Sequence, residues 1–289
     1  MSNEKKAISS TYISILGNTG IALVKWITGY LGNSYGLIAD AIESTGDIFS
    51  SFLTLFGIKY SSKPADENHP YGHGKVEPII TFVVVGFLIT SATIIVYESI
   101  INIRTPHELP SIYTLFVLGP IIIIKEIFYR FVKRRSEAIK SSLLKADAWH
   151  HRSDAITSLA VFIGISIALI MGKGYETADD WAALVAGIVI YYNSFKIFRP
   201  ALGEIMDEHF YDDLIIEIRK TASTVNGIVA TEKCYVRKSG LKYHVDLHAI
   251  VNAEITVRQG HEIAHRLADK LKYELPQIMD VLVHIEPHE

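Results

Sequence analysis

Two pairs of side chains able to hold a metal ion stand four residues apart in otherwise apolar stretches: Glu43 with Asp47, and His150 with Asp154. A spacing of four puts each pair on one helix face. If the pairs converge, three carboxylates and one imidazole form a tetrahedral site for a divalent ion. With no thiolate or thioether, the set disfavours copper(I) and admits Zn²⁺, Fe²⁺, Cd²⁺, Co²⁺ and, less comfortably, Mn²⁺. Zn²⁺ comes first because it makes no d-electron demand on geometry and moves between two four-ligand arrangements at low cost. An ionisable group at the centre of a membrane span costs at least about 2.5–3.5 kcal/mol, so such groups face the bundle interior and serve an ion or proton path. The blander role for them is polar glue between helices. Asp40, Asp147 and His151 are weaker ligand candidates, one turn off or nearer the helix ends.

A second group lies in Pro64-Ala65-Asp66-Glu67-Asn68-His69-Pro70-Tyr71-Gly72-His73-Gly74-Lys75. Asp66, His69 and His73 have ligand-like spacing in a segment that Pro and Gly keep out of regular helix. Seven of the twelve histidines fall in the last third of the chain, at 209, 244, 248, 261, 265, 284 and 288, which points to metal binding there rather than mere solvation. His261-Glu262-Ile263-Ala264-His265 also matches H-E-x-x-H on an expected helix, the pattern of a zinc peptidase with two ligands and a general base. The short, polar surroundings leave no room for a substrate cleft. The single cysteine, Cys234, excludes an intramolecular disulfide framework and a four-cysteine zinc site.

These residues need elements to position them. The chain has 289 residues, 49% hydrophobic and 20% charged, with a formal net charge of −3 and a mean hydropathy of +0.25. The charge is absent from whole windows and crowded into others, which excludes a soluble monomer. Six windows reach the roughly 20 apolar residues that cross a bilayer: Ile8 to Leu31, Tyr35 to Tyr60, Val76 to Ile103, Ile112 to Phe131, Ala148 to Met171 and Ala178 to Phe198. The first lacks a cleavage site and is expected as a retained span, with no targeting peptide. Lys5, Lys6, Lys63, Lys75, Lys133, Arg134, Arg135, Lys140 and Lys145 fall on one side and only Arg104 and Lys173 on the other, so both termini are expected in the cytoplasm. Ala39 to Asp47 and Ala146 to Asp154 align without gaps at an offset of 107 residues. An offset of three spans inverts the copies, as in transporters that bind substrate between inverted three-helix repeats.

A transmembrane metal-transport domain is therefore expected over 1–203 and a cytoplasmic metal-binding domain over 204–289. The latter holds ten Lys/Arg against fifteen Asp/Glu, a poor match for nucleic acid. Its pattern reads αββαβ: a helix near Asp212 to Val225, strands Val229 to Arg237 and Tyr243 to Val251 with a turn at Ser239-Gly240, a helix Thr256 to Glu274 and a strand through Val281-Leu282-Val283. That order makes a two-layer α+β domain.

On these motifs the chain resembles the cation diffusion facilitator family and is similar to its bacterial zinc/iron exporters, over nearly its whole length. The resemblance implies a four-ligand transport site at Glu43, Asp47, His150 and Asp154. It also implies a loop site, Asp-x-x-His-x-x-x-His before Gly-Lys, at Asp66, His69 and His73. A ferredoxin-like cytoplasmic domain would bind zinc at a dimer interface through His248, His261, His284 and Glu286, with Glu232 where a His is usual. Glu286 replaces a common Asp, and Glu43 a commoner Asp or His. The resemblance further implies a homodimer, with 204–289 as its dimerisation domain, in which Lys75 pairs with Asp207.

The function expected is export of a divalent cation in exchange for protons by alternating access, from a bilayer-embedded protein of a bacterial inner membrane. His150 is the natural proton carrier, because an unperturbed imidazole titrates near pH ~6.5 and must be neutral to ligate. The tail metal would report cytosolic metal to the membrane half. Three rivals make different demands. A non-transporting sensor or scaffold tolerates loss of Asp47 and Asp154, a peptidase needs Glu262, and a passive channel ignores the pH gradient.

Overall fold

A backbone in hydrocarbon must satisfy its own N–H and C=O groups, so long apolar runs become helices. In the computed structural model, which describes residues 3–31, 35–104, 112–172, 175, 177–208 and 211–288, six helices follow in order. They are α1 (Asn3–Leu31), α2 (Tyr35–Ser61), α3 (Val76–Arg104), α4 (Tyr113–Ile139), α5 (Ser142–Met171) and α6 (Ala178–Ile205). Among the described residues, four helices contain segments long and apolar enough to cross a membrane: Lys5–Ile27, Val76–Arg104, Ser142–Met171 and Asp180–Ile205. Helices α2 and α4 carry more charge, from Asp40, Glu43, Asp47 and Lys59 in one and Lys125, Glu126, Arg130 and Lys133 in the other. The helices also outrun the apolar windows. α4 continues eight residues past Phe131 and α5 begins six before Ala148, because Lys, Arg and Glu are good helix formers in water.

The chain divides into two compact units, one of residues 1–60 and 77–201 and the other of 61–76 and 202–289. In the first, polarity is inverted relative to a water-soluble bundle. Ser10, Thr11, Ser14, Asn18, Ser51 and Thr54 are buried, while Leu16, Phe116 and Ile170 are 72%, 72% and 83% exposed. That is the pattern of helices whose outer face meets lipid and whose polar groups find one another inside. Asn18 Nδ2 donates to Ser51 Oγ at 3.1 Å, tying α1 to α2, and Lys25 Nζ donates to Ser44 Oγ at 2.8 Å. Helix α1 can lie against α4 because residue 17 is glycine; a Cβ there would collide with the Phe128 ring.

The connection from α4 to α5 is a single tight corner. Lys140 adopts φ 55°, its N–H closes on Ser136 O, and Ser141 Oγ accepts from Leu144 N at 3.2 Å to cap α5. The buried carboxylate of Glu77, at the start of α3, accepts from Ser141 Oγ at 2.6 Å and more weakly from Ser142 Oγ and Leu143 N at 3.3 and 3.4 Å. An anion is thus placed at the positive end of the helix that carries His150 and Asp154.

In the second unit, α7 (Asp212–Ala222), β1 (Ala230–Ser239), β2 (Lys242–Val251), α8 (Val257–Glu274) and β3 (Ile278–Pro287) follow the αββαβ order. The sheet runs β1-β2-β3, with β1/β2 antiparallel and β2/β3 parallel. The hairpin turns at Gly240, whose φ of 62° favours glycine. Helix α8 starts with a capping box between Thr256 and Gln259. Acidic Asp212 and Asp213 open α7 and basic Arg219 and Lys220 end it, matching its dipole. Odd-numbered β2 residues Tyr243, Val245, Leu247 and Ala249 join Ile218, Leu267 and Leu271 in the core. Even-numbered residues therefore project from the opposite face of the sheet.

Candidate metal centres

The helix spacing of the membrane pairs converts directly into geometry. Asp47 on α2 and His150 and Asp154 on α5 present one ligand atom each, all within 4.8 Å of one another. His150 Nε2 lies 2.9 Å from Asp47 Oδ1, and both residues are 7% exposed. The side chains of Glu43 and Asp40 lie outside the described residues. One group in this cluster had no place in the sequence reading. Lys125 of α4, 2% exposed, donates from Nζ to Asp47 Oδ2 and to Asp154 Oδ2, each at 2.7 Å, and reaches Asn18 Oδ1 at 3.5 Å. Its signal in the sequence is a lone cation following Ile121-Ile122-Ile123-Ile124, the placement in a span that normally marks function. The next residue, Glu126, turns away and pairs with Arg152 at 2.8 Å.

Asp147 and His151 are fully buried, and neither belongs to the ligand cluster. Ser14 Oγ lies between them, 3.4 Å from Asp147 Oδ2 and 3.2 Å from His151 Nε2, while Asp147 Oδ1 and His151 Nδ1 have no hydrogen-bond partner among the described residues. All four residues lie on one side of α5, so the neighbouring helices set this split: Ser14 of α1 meets 147 and 151, while Asp47 of α2 and Lys125 of α4 meet 150 and 154.

In the second unit, Asp66, His69 and His73 meet, again with ligand atoms within 4.8 Å. Asp66 Oδ1 accepts from the His69 and Asn68 amides at 2.7 and 3.0 Å, an Asx turn that folds the loop back on itself. His69 Nδ1 lies 3.0 Å from Asp66 Oδ1, and His73 Nε2 lies 3.3 Å from Oδ2. His73 Nδ1 bonds to the Pro64 carbonyl at 3.1 Å, which turns Nε2 toward Asp66. Desolvation of Asp66 is outweighed by the hydrogen bonds from the His69 amide and ring and by the two imidazoles, which together hold its carboxyl below the usual range. It is therefore ready to ligate at neutral pH.

The open face of the sheet forms the third cluster. Parallel register sets His248 opposite His284 and Ile250 opposite Glu286, so two rings and a carboxylate converge. His248 Nδ1 lies 2.6 Å from Glu286 Oε1, and His284 Nε2 lies 3.7 Å from the same oxygen. The hydrogen bond from His248, then one shared with Glu232, lower the Glu286 carboxyl. Glu232 reaches the cluster through Glu286, while His261 sits on α8, on the helical side of the sheet, its ring 4.4 Å from that of His265. The tail histidines thus divide by role. His244 is buried beside Tyr71 and Arg237, where burial and then the Arg237 charge lower its pKa. His209 lies outside the described residues. His261, Glu262 and His265 are all exposed on α8.

Lys75 Nζ donates to Asp207 Oδ1 at 2.5 Å and to the Glu204 carbonyl at 2.6 Å within one chain. Asp207 holds φ 53°, a left-handed conformation for which its short polar side chain is suited.

Residues 11–206 match the family model Cation_efflux, described as the cation efflux transmembrane domain, and residues 211–288 match ZT_dimer, the cytoplasmic domain of cation efflux proteins. The chain is 28% identical to the manganese efflux system protein MneP of Bacillus subtilis (strain 168), over 100% of this chain and 99% of that protein. It is 30% identical to the magnetosome protein MamB of Magnetospira sp. (strain QH-2), over 93% and 92% of the two. A solved structure of the MamM CTD aligns with a TM-score of 0.27 and 23% identity, covering 27% of this chain and 100% of that one. With both family models matched in order along the chain, the protein belongs to the cation efflux, or cation diffusion facilitator, family: an integral membrane transporter of metal cations and not an enzyme.

Proposed function

We propose that the protein exports a divalent metal cation from the cytosol in exchange for protons, by alternating access around Asp47, His150, Asp154 and Glu43. The observation that carries this reading is the convergence of Asp47, His150 and Asp154 in the interior of the helical unit, with an imidazole hydrogen-bonded to a carboxylate. Metal and protons compete for the same atoms, since a ligating imidazole must be neutral and a ligating carboxylate ionised. Protons arriving from the far side therefore displace the ion, and the inverted repeat supplies the two access states. The donor set puts Zn²⁺ first, with Fe²⁺, Cd²⁺ and Co²⁺ next. A second reading, Mn²⁺, is favoured by relatives named manganese efflux system proteins at 28% and 30% identity.

The protein acts as a homodimer through 204–289, with 1–203 as the transport domain and the Lys75–Asp207 pair bracing the connection between α2 and α3. Asp66, His69 and His73 form a second metal site, and His248, His284 and Glu286, with Glu232 and with His261 contributed across the interface, form a regulatory one. The test is uptake of Zn²⁺, Fe²⁺, Cd²⁺ and Mn²⁺ into proteoliposomes with an imposed pH gradient, wild type against Asp47→Ala. Uptake that follows the gradient and vanishes in the variant supports the exporter, and the ion ranking names its substrate. Uptake with no proton counterflow refutes the coupling. Vesicles that behave as if empty in both cases favour a sensor or scaffold.

A further inference from the structure

Lys125 does not fit a site built only to hold a divalent cation, because it already places a cation there. Its ammonium is bonded at 2.7 Å to one oxygen of Asp47 and one of Asp154, and the other oxygen of Asp47 engages His150 Nε2. The lone pairs that would coordinate an ion are thus directed at a lysine. A divalent ion cannot simply be added beside it, since like charges a few ångströms apart in a buried site repel strongly. Nor is the lysine needed to join α4 to α5, which Glu126 and Arg152 already do through contacts at 2.8 and 3.0 Å. A four-carbon stem with a compact ammonium can swing away without backbone movement, as the planar fork of an arginine held by two carboxylates could not.

We propose that Lys125 is a tethered counter-cation of the membrane site: it compensates Asp47 and Asp154 when no metal is bound, and the incoming ion binds by displacing it. The inference rests on the reading of Asp47, His150 and Asp154 as the transport site. Binding then exchanges a single positive charge for a double one, so the bilayer interior never holds two bare carboxylates. After release the ammonium returns, closes the site and speeds departure of the ion. Lys125 is in this sense a positioning residue that sets affinity and release, touching the ligands rather than the cargo.

The experiment uses full-length protein in lipid nanodiscs, with Asp66, His73, His248 and His284 changed to Ala so that titration reads the membrane site. Zn²⁺ and Mn²⁺ are the probes in calorimetry. Lys125→Met is expected to bind at least about tenfold more tightly and to release metal more slowly, and Lys125→Arg to bind more weakly than the parent. Parental or weaker affinity in Lys125→Met, with an unchanged unfolding midpoint, overturns the proposal. Asp47→Asn in the same background separates the two ideas. If it binds metal like the parent, the site itself is misread; if it loses binding while Lys125→Met changes nothing, only the counter-cation is wrong. A second measurement on the parent does not depend on how the variants fold. Dicyclohexylcarbodiimide, which enters bilayers, should couple Lys125 to Asp47 or Asp154 in metal-free protein, with saturating metal suppressing that peptide by at least about tenfold. Equal coupling with and without metal overturns displacement.

Discussion

Replacing Glu77 with Ala removes the acceptor that anchors the N-terminus of α5. The side chain is 1% exposed, so water does not take over its contacts. Its 2.6 Å bond from Ser141 Oγ is a hydrogen bond to an ionised group, worth about 1.5–3 kcal/mol, and the contacts at 3.3 and 3.4 Å add little. The negative charge at a helix N-terminus adds about 0.3–1 kcal/mol. Glu77→Ala should therefore cost about 2–4 kcal/mol, and Glu77→Gln, which keeps an acceptor and loses the charge, about half as much. The assay is the unfolding midpoint in mixed dodecyl maltoside and SDS micelles, paired with metal uptake into proteoliposomes. Because α5 carries both His150 and Asp154, uptake should fall in the order wild type, Gln, Ala. A Glu77→Ala protein within about 0.5 kcal/mol of wild type, or Gln and Ala variants that are equal, would refute the reasoning.

Leu247, fully buried in the core of the second unit, should cost about 2–5 kcal/mol as Leu247→Ala, read as faster amide exchange throughout β1, β2 and β3; exchange confined to residues beside 247 would count against a shared core. Burial pushes the Cys234 thiol up to about 11, so its neutral form is favoured in the folded protein; that contribution is complete below the ordinary thiol value and is lost as pH rises through about 11. At pH 8 iodoacetamide should modify native Cys234 at least about 100-fold more slowly than in the unfolded chain, and equal rates would contradict the burial. Glu286 has its carboxyl lowered by His248 and Glu232, so its contribution is present above the ordinary glutamate value and lost as pH falls through the lowered one. Metal-free wild type and Glu286→Gln should differ in unfolding midpoint at pH 7 and converge in acid; a constant gap would show that the carboxylate charge plays no part.

How far the sequence reaches depends on the range of the interaction concerned. Apolar windows and the αββαβ pattern were legible because period and length are local properties, and their errors lie at the ends, where α4 and α5 extend through charged residues. The pairing of Asp47 with His150 was approachable from spacing alone, since i and i+4 share a face and two such faces with opposite needs attract each other. The loop cluster was legible for a related reason: Asp66 organises its own turn within three residues. The His248–His284 pair was less so, because it depends on the parallel register of strands far apart in the chain.

By itself, then, the sequence determined that this is a membrane protein with ionisable groups inside its helices and a separate acidic α+β unit, because hydropathy and periodicity act over a few residues. Only the tertiary structure decided which buried charges meet. It set Lys125 between Asp47 and Asp154, turned Asp147 and His151 toward Ser14, and lodged Glu77 against Ser141. The physical reason is that each contact joins different helices. Its energy comes from a buried charged or polar group finding a partner on another element, and the spacing within one segment does not encode that distance.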